Sequence, residues 1–280
     1  MPLGQFGPDL IADWKHCVKP APDYQRRFGG LERLYGAGAL ARAAAAHVVV
    51  VGIGGVGSWA AEALARSGIG RLTLIDLDHV AESNINRQVQ ALGSTLGAAK
   101  VLAMQERILA INPDCVVTPI EEFIDERNPP VLIPACDAVI DAIDHVRAKA
   151  ALIAHCRRVG IRIVTTGAAG GRTDPTRIEV IDLSRTTQDA LASKVRALLR
   201  KDYGFAREPK KKFGVDCVFS PEQVRRVASA EFCAVEGVAA DIPVDPTAGL
   251  NCAGYGSSVA VTAGFGFAAA ARVLAGILAP

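Results

Sequence analysis

The chain has 280 residues, of which 50% are hydrophobic, and its 31 basic and 29 acidic residues leave a net charge of +2. This length can bury the core of one large or two modest domains, and the near-neutral balance carries no global signature of nucleic-acid binding. Seven cysteines without a Cys-x-x-Cys pair argue against a disulfide framework or a cysteine-only zinc site, and they favour reduced thiols. The N-terminus lacks the pattern of a secretion signal, so a cytoplasmic location is expected.

The first part of the chain predicts alternating strands and helices. Residues 1–22 mix proline, glycine and polar residues and predict a loose extension, whereas residues 27–46 have a helical pattern. The β-branched run at 47–51 is typical of a parallel strand that is buried on both faces. A glycine turn, an alanine-rich helix at 58–66 and a second strand at 71–76 complete a βαβ unit.

The same alternation continues through the middle of the chain. Helices are predicted at 97–111 and 146–159, and strands at 115–120, 138–143 and 161–166. The order of these elements predicts a doubly wound α/β fold with a mostly parallel, Rossmann-like sheet.

The C-terminal part is less regular. It predicts an antiparallel strand at 177–183, an amphipathic helix at 187–201 and a basic, proline-containing loop at 205–213. The apolar segment 259–279 is long enough to span a bilayer, but Arg272 would lie in its C-terminal half. Its glycines suit close packing, so we predict a buried terminal helix rather than a membrane contact.

A glycine-rich turn follows the first strand and opens the next helix. Gly52, Gly54, Gly55 and Gly57 allow a tight turn and let phosphate groups approach backbone N–H groups at the helix N-terminus. Asp76 ends the second strand, where a carboxylate can accept hydrogen bonds from both ribose hydroxyls. These residues predict a nucleotide site but do not distinguish NAD from ATP.

A second group of polar residues favours ATP. Asn84, Arg87 and Lys100 would surround a triphosphate and stabilise the departing pyrophosphate, a role that an NAD-dependent oxidoreductase would not need. Asp144 follows a predicted strand at its carboxyl end and could hold Mg²⁺ against the phosphates. Asp141 lies on that strand and is a structural candidate instead.

With these residues in place, the sequence resembles the adenylation core of the ubiquitin-activating-like superfamily, the group of MoeB and ThiF. The motifs that carry the resemblance are 52–58, 74–78, 83–88, Lys100 and 141–144. The resemblance implies that Gly54 lies at the phosphates of ATP, Asp76 at the ribose, and Asp144 at the metal and the reacting atoms. It also places Asn84, Arg87 and Lys100 at the triphosphate.

The resemblance also implies a homodimer in which an arginine from one subunit enters the site of the other. Arg27 and Arg33 are the two candidates, and the local pattern does not choose between them. On this basis residues 23–280 would form one adenylation domain, with a nucleotide core at about 47–170 and a substrate part at about 171–280.

Further motifs resemble one subfamily, the tRNA threonylcarbamoyladenosine dehydratases. They lie at 27–30, 33–36, 148–154, 164–167, 214–220 and 262–267, so the likeness covers about residues 24–280. It implies that ATP activates the threonyl carboxylate of the modified adenosine in tRNA, and that the carbamoyl group then closes a ring with loss of water. The absence of paired Cys-x-x-Cys zinc ligands supports this subfamily over adenylyltransferases that activate a MoaD- or ThiS-like sulfur carrier.

Positive charge is concentrated between residues 194 and 212, where eight basic and two acidic residues give a net charge of +6. Given the resemblance, this basic segment is expected to contact tRNA phosphates, above all through its arginine and lysines nearest the proline. These residues are Arg207, Lys210, Lys211 and Lys212. The nearby aromatic residues Tyr203, Phe205 and Phe213 could either stack on bases or pack in the protein.

The cysteines leave two interpretations open. A reactive thiol at Cys252 could form an acyl-thioester or accept sulfur from a cysteine desulfurase partner, whereas a buried cysteine is simply a small hydrophobic side chain. For Cys217 and Cys233 the packing interpretation is favoured. A scaffolding partner of a desulfurase system and a bound monovalent cation also remain open at this point.

Overall fold

The computed structural model describes residues 21–208, 211–225 and 255–279. Its strands are β1 (His47–Val51), β2 (Arg71–Ile75), β3 (Val116–Ile120), β4 (Ala138–Asp141), β5 (Arg162–Thr166), β6 (Glu179–Asp182) and β7 (Asp216–Phe219). They form one sheet in the order β3-β2-β1-β4-β5-β7-β6. Neighbouring strands are parallel except β6 and β7, which are antiparallel. The predicted doubly wound α/β fold is therefore confirmed.

Helices cover both faces of this sheet. They are α1 (Tyr24–Phe28), α2 (Gly30–Tyr35), α3 (Ala39–Ala45), α4 (Gly57–Arg66), α5 (Lys100–Ile111), α6 (Pro129–Leu132), α7 (Val146–Val159), α8 (Ala190–Asp202) and α9 (Val259–Leu278). In β1, Val48 and Val50 pack with α4, α5 and α9, whereas Val49 and Val51 pack with α7 and α8. This double burial explains why β1 is a continuous β-branched run instead of an alternating one.

The helical pattern predicted for residues 27–46 corresponds to three short helices, the first of which begins at Tyr24. Gly29 separates α1 from α2, and two glycines with positive φ, Gly36 (87°) and Gly38 (80°), separate α2 from α3. Glycine adopts this left-handed backbone at little cost, so the chain turns where a longer helix would have continued. The helical pattern predicted for this part of the chain is therefore confirmed.

Strand β7 was not predicted, and it inserts between β5 and β6. Its residues pair in parallel with β5, from Val164 with Asp216 to Thr166 with Val218. Its other edge pairs with β6, which confirms the predicted antiparallel strand there. Its residues belong to the motif at 214–220, to which no strand was assigned.

The terminal apolar helix α9 is as predicted, and it packs against α4, β5 and β7. Among the described residues it is the one helix that is long and apolar enough to cross a membrane. Its most apolar 18-residue stretch has a mean hydropathy of 1.7, and 56% of that stretch is buried in the protein. A Cβ at Gly266 would lie 2.5 Å from the Val56 carbonyl oxygen, so glycine allows the close approach of α9 to α4. Arg272 forms a two-pronged ion pair with Asp216, at 2.7 and 3.3 Å.

Candidate active site

The main cavity lies at the carboxyl ends of the parallel strands, where the chain order of the sheet reverses between β1 and β4. Open α/β sheets bind ligands at this switch point, because the loops that follow the two strands diverge there. The cavity has a volume of about 810 Å³ and is lined by the glycine turn, Asp76, Arg87, Lys100 and Asp144. Residues far apart in sequence are thus brought together at one edge.

Two glycines of the turn, Gly52 and Gly57, are required by close backbone contacts. Gly52 has a φ of 86°, and a Cβ there would lie 3.0 Å from the Ala142 carbonyl group at the end of β4. A Cβ at Gly57 would overlap the carbonyl oxygen of Gly52. By contrast, a Cβ at Gly54 would meet no atom within 4 Å, so this residue faces open space at the cavity. The turn is packed closely against the end of β4 and is open toward the cavity, as a phosphate site requires.

Two buried side chains hold the peptide groups of Ile53, inside the turn. Its backbone N–H donates to Asp76 Oδ2 at 2.6 Å, and its carbonyl oxygen accepts from Gln90 Nε2 at 2.9 Å. Gln90 is itself oriented by a 3.1 Å bond to Gln88. These bonds hold the peptide groups of the glycine turn in place, and Gln90 is a contributor that the sequence pattern did not reveal.

Asp76, Asp78 and Lys100 form an ionic group on the side of the cavity where the sequence predicts the nucleotide. The Asp76 carboxylate accepts from the Asp78 backbone N–H at 2.9 Å, and the Asp78 carboxylate pairs with Lys100 Nζ at 2.6 Å. Burial raises the pKa of Asp76, and the positive charge of Lys100 opposes that rise. The mostly buried ammonium group of Lys100 therefore supplies positive charge where the sequence placed a phosphate ligand.

Arg87 lies at the mouth of the cavity, beside the glycine turn. Its Nη1 donates to the Ser83 carbonyl oxygen at 2.7 Å and to Asn86 Oδ1 at 2.9 Å. Trp59 Nε1 donates to the Arg87 carbonyl oxygen at 2.9 Å, which ties this segment to α4. Burial lowers the pKa of Arg87. The side chain is thus held in place, with charge available to an anionic ligand.

Asn84 has a different position from the other predicted phosphate ligands. It is buried below Arg87, and its Oδ1 accepts from the Ala81 backbone N–H at 3.2 Å. It does not line the cavity. In this conformation Asn84 supports the turn that carries Arg87, and its direct contact with phosphate stays a prediction.

Asp144 lines the cavity at the end of β4, and a buried ion pair supports it from below. Lys149 Nζ donates to Asp141 Oδ1 at 2.9 Å and to the Ile143 carbonyl oxygen at 2.8 Å. Thr165 donates its hydroxyl to the other oxygen of Asp141, at 2.6 Å. Asp141 and Lys149 are 0% and 1% exposed, so Asp141 has the structural role that its place on the strand indicated. Lys149 was not singled out, because its partner lies eight residues away on a different element.

The side chains of the cavity fit Mg²⁺ as an ion that is bound together with ATP. Among the described residues, no group of three or more His, Cys, Asp or Glu side chains is placed to hold a metal. Mg²⁺ usually binds through one or two carboxylates together with phosphates and water, and Asp144 offers one such carboxylate. A carboxylate in this position therefore suits a metal that is shared with a triphosphate.

The cavity extends well beyond the predicted nucleotide residues. A second wall follows β5, where the small residues Gly167, Ala168, Ala169 and Gly170 line it. On the opposite side, the loop after β3 contributes residues 122–127. Sequence reasoning did not assign a role to either loop, although the motif at 164–167 ends in Gly167. A further signal was position, since each loop follows a strand at its carboxyl end.

Neither candidate arginine from the N-terminal part lines the cavity of its own chain. Arg27 is exposed, and its Nη1 donates to the carbonyl oxygen of Ile111 at the end of α5, at 2.5 Å. Arg33 is also exposed, on α2. The structure of one chain therefore leaves both arginines as candidates for the crossing residue.

The basic segment divides into residues that are exposed and residues that make contacts within the protein. Lys194, Lys201, Arg207, Lys211 and Lys212 are exposed. Arg196, in contrast, donates to the Thr186 hydroxyl, and Arg200 lies 5.2 Å above the Phe213 ring. Lys210 is outside the described residues.

The aromatic residues of this segment pack within the protein. Phe213 is buried, and its ring meets that of Phe205 edge-on at 5.0 Å between centroids. Tyr203 and Phe205 pack against the core from partly buried positions. Stacking of Phe213 on an RNA base is therefore not available in this conformation.

The cysteines are only partly covered by the structure. Cys217 is fully buried in β7, where burial raises the pKa of its thiol, so it packs as a hydrophobic side chain. Cys252 and Cys233 lie outside the described residues.

Comparison with known proteins assigns the family. The model of the ThiF family matches residues 24–280, which is nearly the whole chain. The chain belongs to the ThiF family. The predicted resemblance to the MoeB and ThiF group is thereby confirmed, and the glycine turn, Lys100 and Asp144 lie within the matched part.

Two curated relatives resemble this ThiF-family chain over almost all of its length. The tRNA threonylcarbamoyladenosine dehydratase of Escherichia coli is 50% identical over 259 residues, covering 91% of this chain and 95% of the relative. The dehydratase of Haemophilus influenzae is 49% identical over 254 residues, covering 90% and 93%. A crystal structure of the Escherichia coli dehydratase in complex with ATP superposes with a TM-score of 0.79 at 48% identity, covering 93% of this chain and 97% of that one.

The resemblance to sulfur-carrier adenylyltransferases is more limited. The molybdopterin-synthase adenylyltransferase of Escherichia coli is 37% identical over 123 residues, covering 44% of this ThiF-family chain and 49% of the relative. The predicted subfamily is thus the better supported of the two.

Proposed function

We propose that this chain is an ATP-dependent tRNA threonylcarbamoyladenosine dehydratase. The observation that carries the proposal is the single cavity in which the glycine turn, Arg87, Lys100 and Asp144 meet, in a chain that matches such dehydratases along nine-tenths of its length. The crystal structures of the Escherichia coli relative with ATP and with AMP support the choice of nucleotide.

The reaction has two steps. An oxygen of the threonyl carboxylate attacks the α-phosphorus of ATP, the bond to the bridging oxygen breaks, and pyrophosphate leaves. The carbamoyl group of the same nucleoside then attacks the acyl carbon, AMP leaves with the former carboxylate oxygen, and a proton passes to the solvent. The ring closes with net loss of water. Because the nucleophile is tethered to its target, the second step gains the large advantage of proximity.

The residues of the cavity have separate roles in this scheme. Backbone N–H groups of the glycine turn and the N-terminus of α4 hold the phosphates, with Gly54 nearest to them, and Asp76 holds the ribose. Arg87 and Lys100 stabilise negative charge on the leaving pyrophosphate. Asp144 would hold the Mg²⁺ that accompanies ATP, and the ion would supply further charge stabilisation there.

Several partners follow from the same proposal. The substrate is tRNA that carries threonylcarbamoyladenosine, the enzyme is a cytoplasmic homodimer, and Arg27 or Arg33 completes the site of the neighbouring subunit. Residues 47–170 serve as the nucleotide core and residues 171–280 as the substrate part. A cysteine desulfurase pair, a role for Cys252 and a monovalent cation are compatible with this function but are not needed for its chemistry.

The first test is a mass measurement. The purified protein is incubated with ATP, Mg²⁺ and tRNA that carries threonylcarbamoyladenosine. After gentle digestion, the mass of the modified nucleoside is measured by mass spectrometry. Loss of one water with release of AMP is expected. AMP formation or pyrophosphate exchange only in the presence of a diglycine-tailed carrier protein would instead assign the chain to the sulfur-carrier adenylyltransferases.

The site assignment is tested with Arg87→Ala and Asp144→Ala. Both should abolish AMP formation and keep the fold, because the two side chains lie at the rim of the sheet. Arg71→Ala is the matched control, since Arg71 is exposed at the opposite, amino end of β2. Normal turnover of either site variant would contradict the assignment.

The basic segment is tested by replacing Lys210, Lys211 and Lys212 with glutamine. Loss of phosphate contacts should weaken tRNA binding and reduce the dependence of log Kd on log salt. Each lost contact should lower that slope by roughly 0.7 to 0.9. An unchanged slope would show that these lysines face solvent only.

A further inference from the structure

The wall that follows β5 forms the half of the cavity next to the nucleotide side. It consists of residues 166–170 and is called the β5 wall below. In the sheet, β5 is the neighbour of β4, and Asp144 lies three residues beyond the end of β4 at Asp141, whereas the predicted ribose ligand Asp76 follows β2. An acyl group that approaches the α-phosphorus beside Asp144 would therefore meet the β5 wall.

A buried carboxylate fixes the β5 wall from behind. Asp189 is 4% exposed, and its Oδ2 accepts from the Ala168 backbone N–H at 2.9 Å. A Cβ at Gly167 would overlap this carboxylate, so glycine is needed for the approach. The other oxygen, Oδ1, accepts from the Ala192 backbone N–H at 2.8 Å and thereby caps the first turn of α8. One side chain thus joins the cavity wall to a helix N-terminus.

A buried arginine completes the support. Arg172 is 2% exposed, and its Nη2 pairs with Asp189 Oδ2 at 3.3 Å. Its Nε donates to the Ala168 carbonyl oxygen at 2.7 Å, and its Nη1 donates to the carbonyl oxygens of Ser220 and Glu222. The amide and the carbonyl of Ala168 are therefore held by opposite partners of one ion pair.

Helix α8 extends this connection toward the basic segment. Asp189 caps the helix, and the exposed Lys194 and Lys201 lie further along it. Thirteen helical residues span about 20 Å. A polyanion bound along α8 would thus have a defined position relative to the β5 wall, because the helix is rigid.

We propose that the β5 wall is the subsite for the threonylcarbamoyl group, and that Asp189 and Arg172 are the positioning residues that set its backbone. This inference rests on the proposed dehydratase function and refines it. Neither residue touches the substrate. They act through Ala168, whose peptide groups they orient, so their loss should affect the tRNA substrate and not ATP.

The obvious variant, Asp189→Asn, leaves Arg172 buried without a carboxylate and is expected to lower the melting temperature. The informative variant is therefore Asp189→Asn combined with Arg172→Met, which removes both charges and keeps similar volumes. Its melting temperature is measured as well, because the carbonyl oxygens of Ala168, Ser220 and Glu222 lose their donor in this variant. Its ATP affinity should stay within twofold of the wild type, while kcat/KM for the modified tRNA should fall by about 10- to 100-fold.

Glu62→Gln is the matched control. Glu62 is also buried and ion-paired, with Arg66 and Arg107, but it does not line the cavity. It should lower the melting temperature without a selective loss toward tRNA.

The outcomes separate the two proposals. Wild-type kcat/KM for tRNA in the double variant, or an equal loss in ATP affinity, would overturn the role of the β5 wall while the dehydratase function stands. Absence of dehydration by the wild-type protein itself would overturn both.

Discussion

Removal of the Lys149 ammonium group should destabilise the protein strongly and in a pH-dependent way. The variant Lys149→Met keeps the length of the side chain and suits a helix, but it leaves the Asp141 carboxylate and the Ile143 carbonyl oxygen without their shared donor. Breaking a buried ion pair from one side typically costs about 3–5 kcal/mol. For a chain of this size, each kcal/mol corresponds to roughly 2–4 °C, so the melting temperature should fall by roughly 6–20 °C.

The pH dependence follows from the remaining carboxyl group. Burial raises the pKa of Asp141, and the charge of Lys149 opposes that rise, so the variant should have a still higher pKa there. A carboxyl group with a higher pKa in the folded than in the unfolded state binds protons preferentially when folded, and its contribution to stability decreases as the pH rises. The loss caused by Lys149→Met should therefore be larger at pH 8 than at pH 5.5.

Urea unfolding at both pH values provides the measurement. Lys194→Met is the matched control, because it removes the same group from an exposed position on α8. The double variant Asp141→Asn with Lys149→Met should recover much of the stability, since no buried charge is left unpaired. A loss below about 1 kcal/mol at pH 8, or a loss that is equal at the two pH values, would refute the reasoning.

Three further outcomes are expected. Gly57→Ala should lower the melting temperature and remove the stabilisation by ATP, because the added Cβ overlaps the Gly52 carbonyl oxygen. Gly54→Ala should keep the melting temperature and weaken only ATP binding. Melting curves with and without ATP test both expectations. Gly266→Ala should separate α9 from α4 and cost about 1–3 kcal/mol in urea unfolding, and an unchanged midpoint would contradict that packing. Burial would raise the pKa of Asp182, but its hydrogen bonds outweigh burial and lower it. The stability advantage of the wild type over Asp182→Asn should thus be complete above the ordinary aspartate pKa of about 4 and vanish as the pH falls through the lowered value, which acid titration of the two proteins would show.

The predicted elements agree with the structure where a residue's neighbours along the chain decide its environment. Strand β1 and helix α7 have the predicted bounds, because a β-branched run and a long amphipathic pattern are local signals. The glycine turn was also predicted correctly, since the positive φ of Gly52 and the close contact at Gly57 require glycine at positions that the motif contains. The order of motifs also sufficed to assign the family.

The deviations arise where distant residues decide. Strand β7 exists because the edges of β5 and β6 are available to a short segment, not because four residues prefer to be extended.

The sequence by itself determined the fold class, the phosphate turn and the family, because these depend on local periodicity and on residue types at fixed spacing. Only the tertiary structure decided which charges are buried together, namely Lys149 with Asp141 and Arg172 with Asp189. Such pairs have no sequence signature, since an ion pair is set by distance in space and by exclusion of water. Those two pairs support the two loops at the carboxyl ends of β4 and β5, and through them the shape of the cavity.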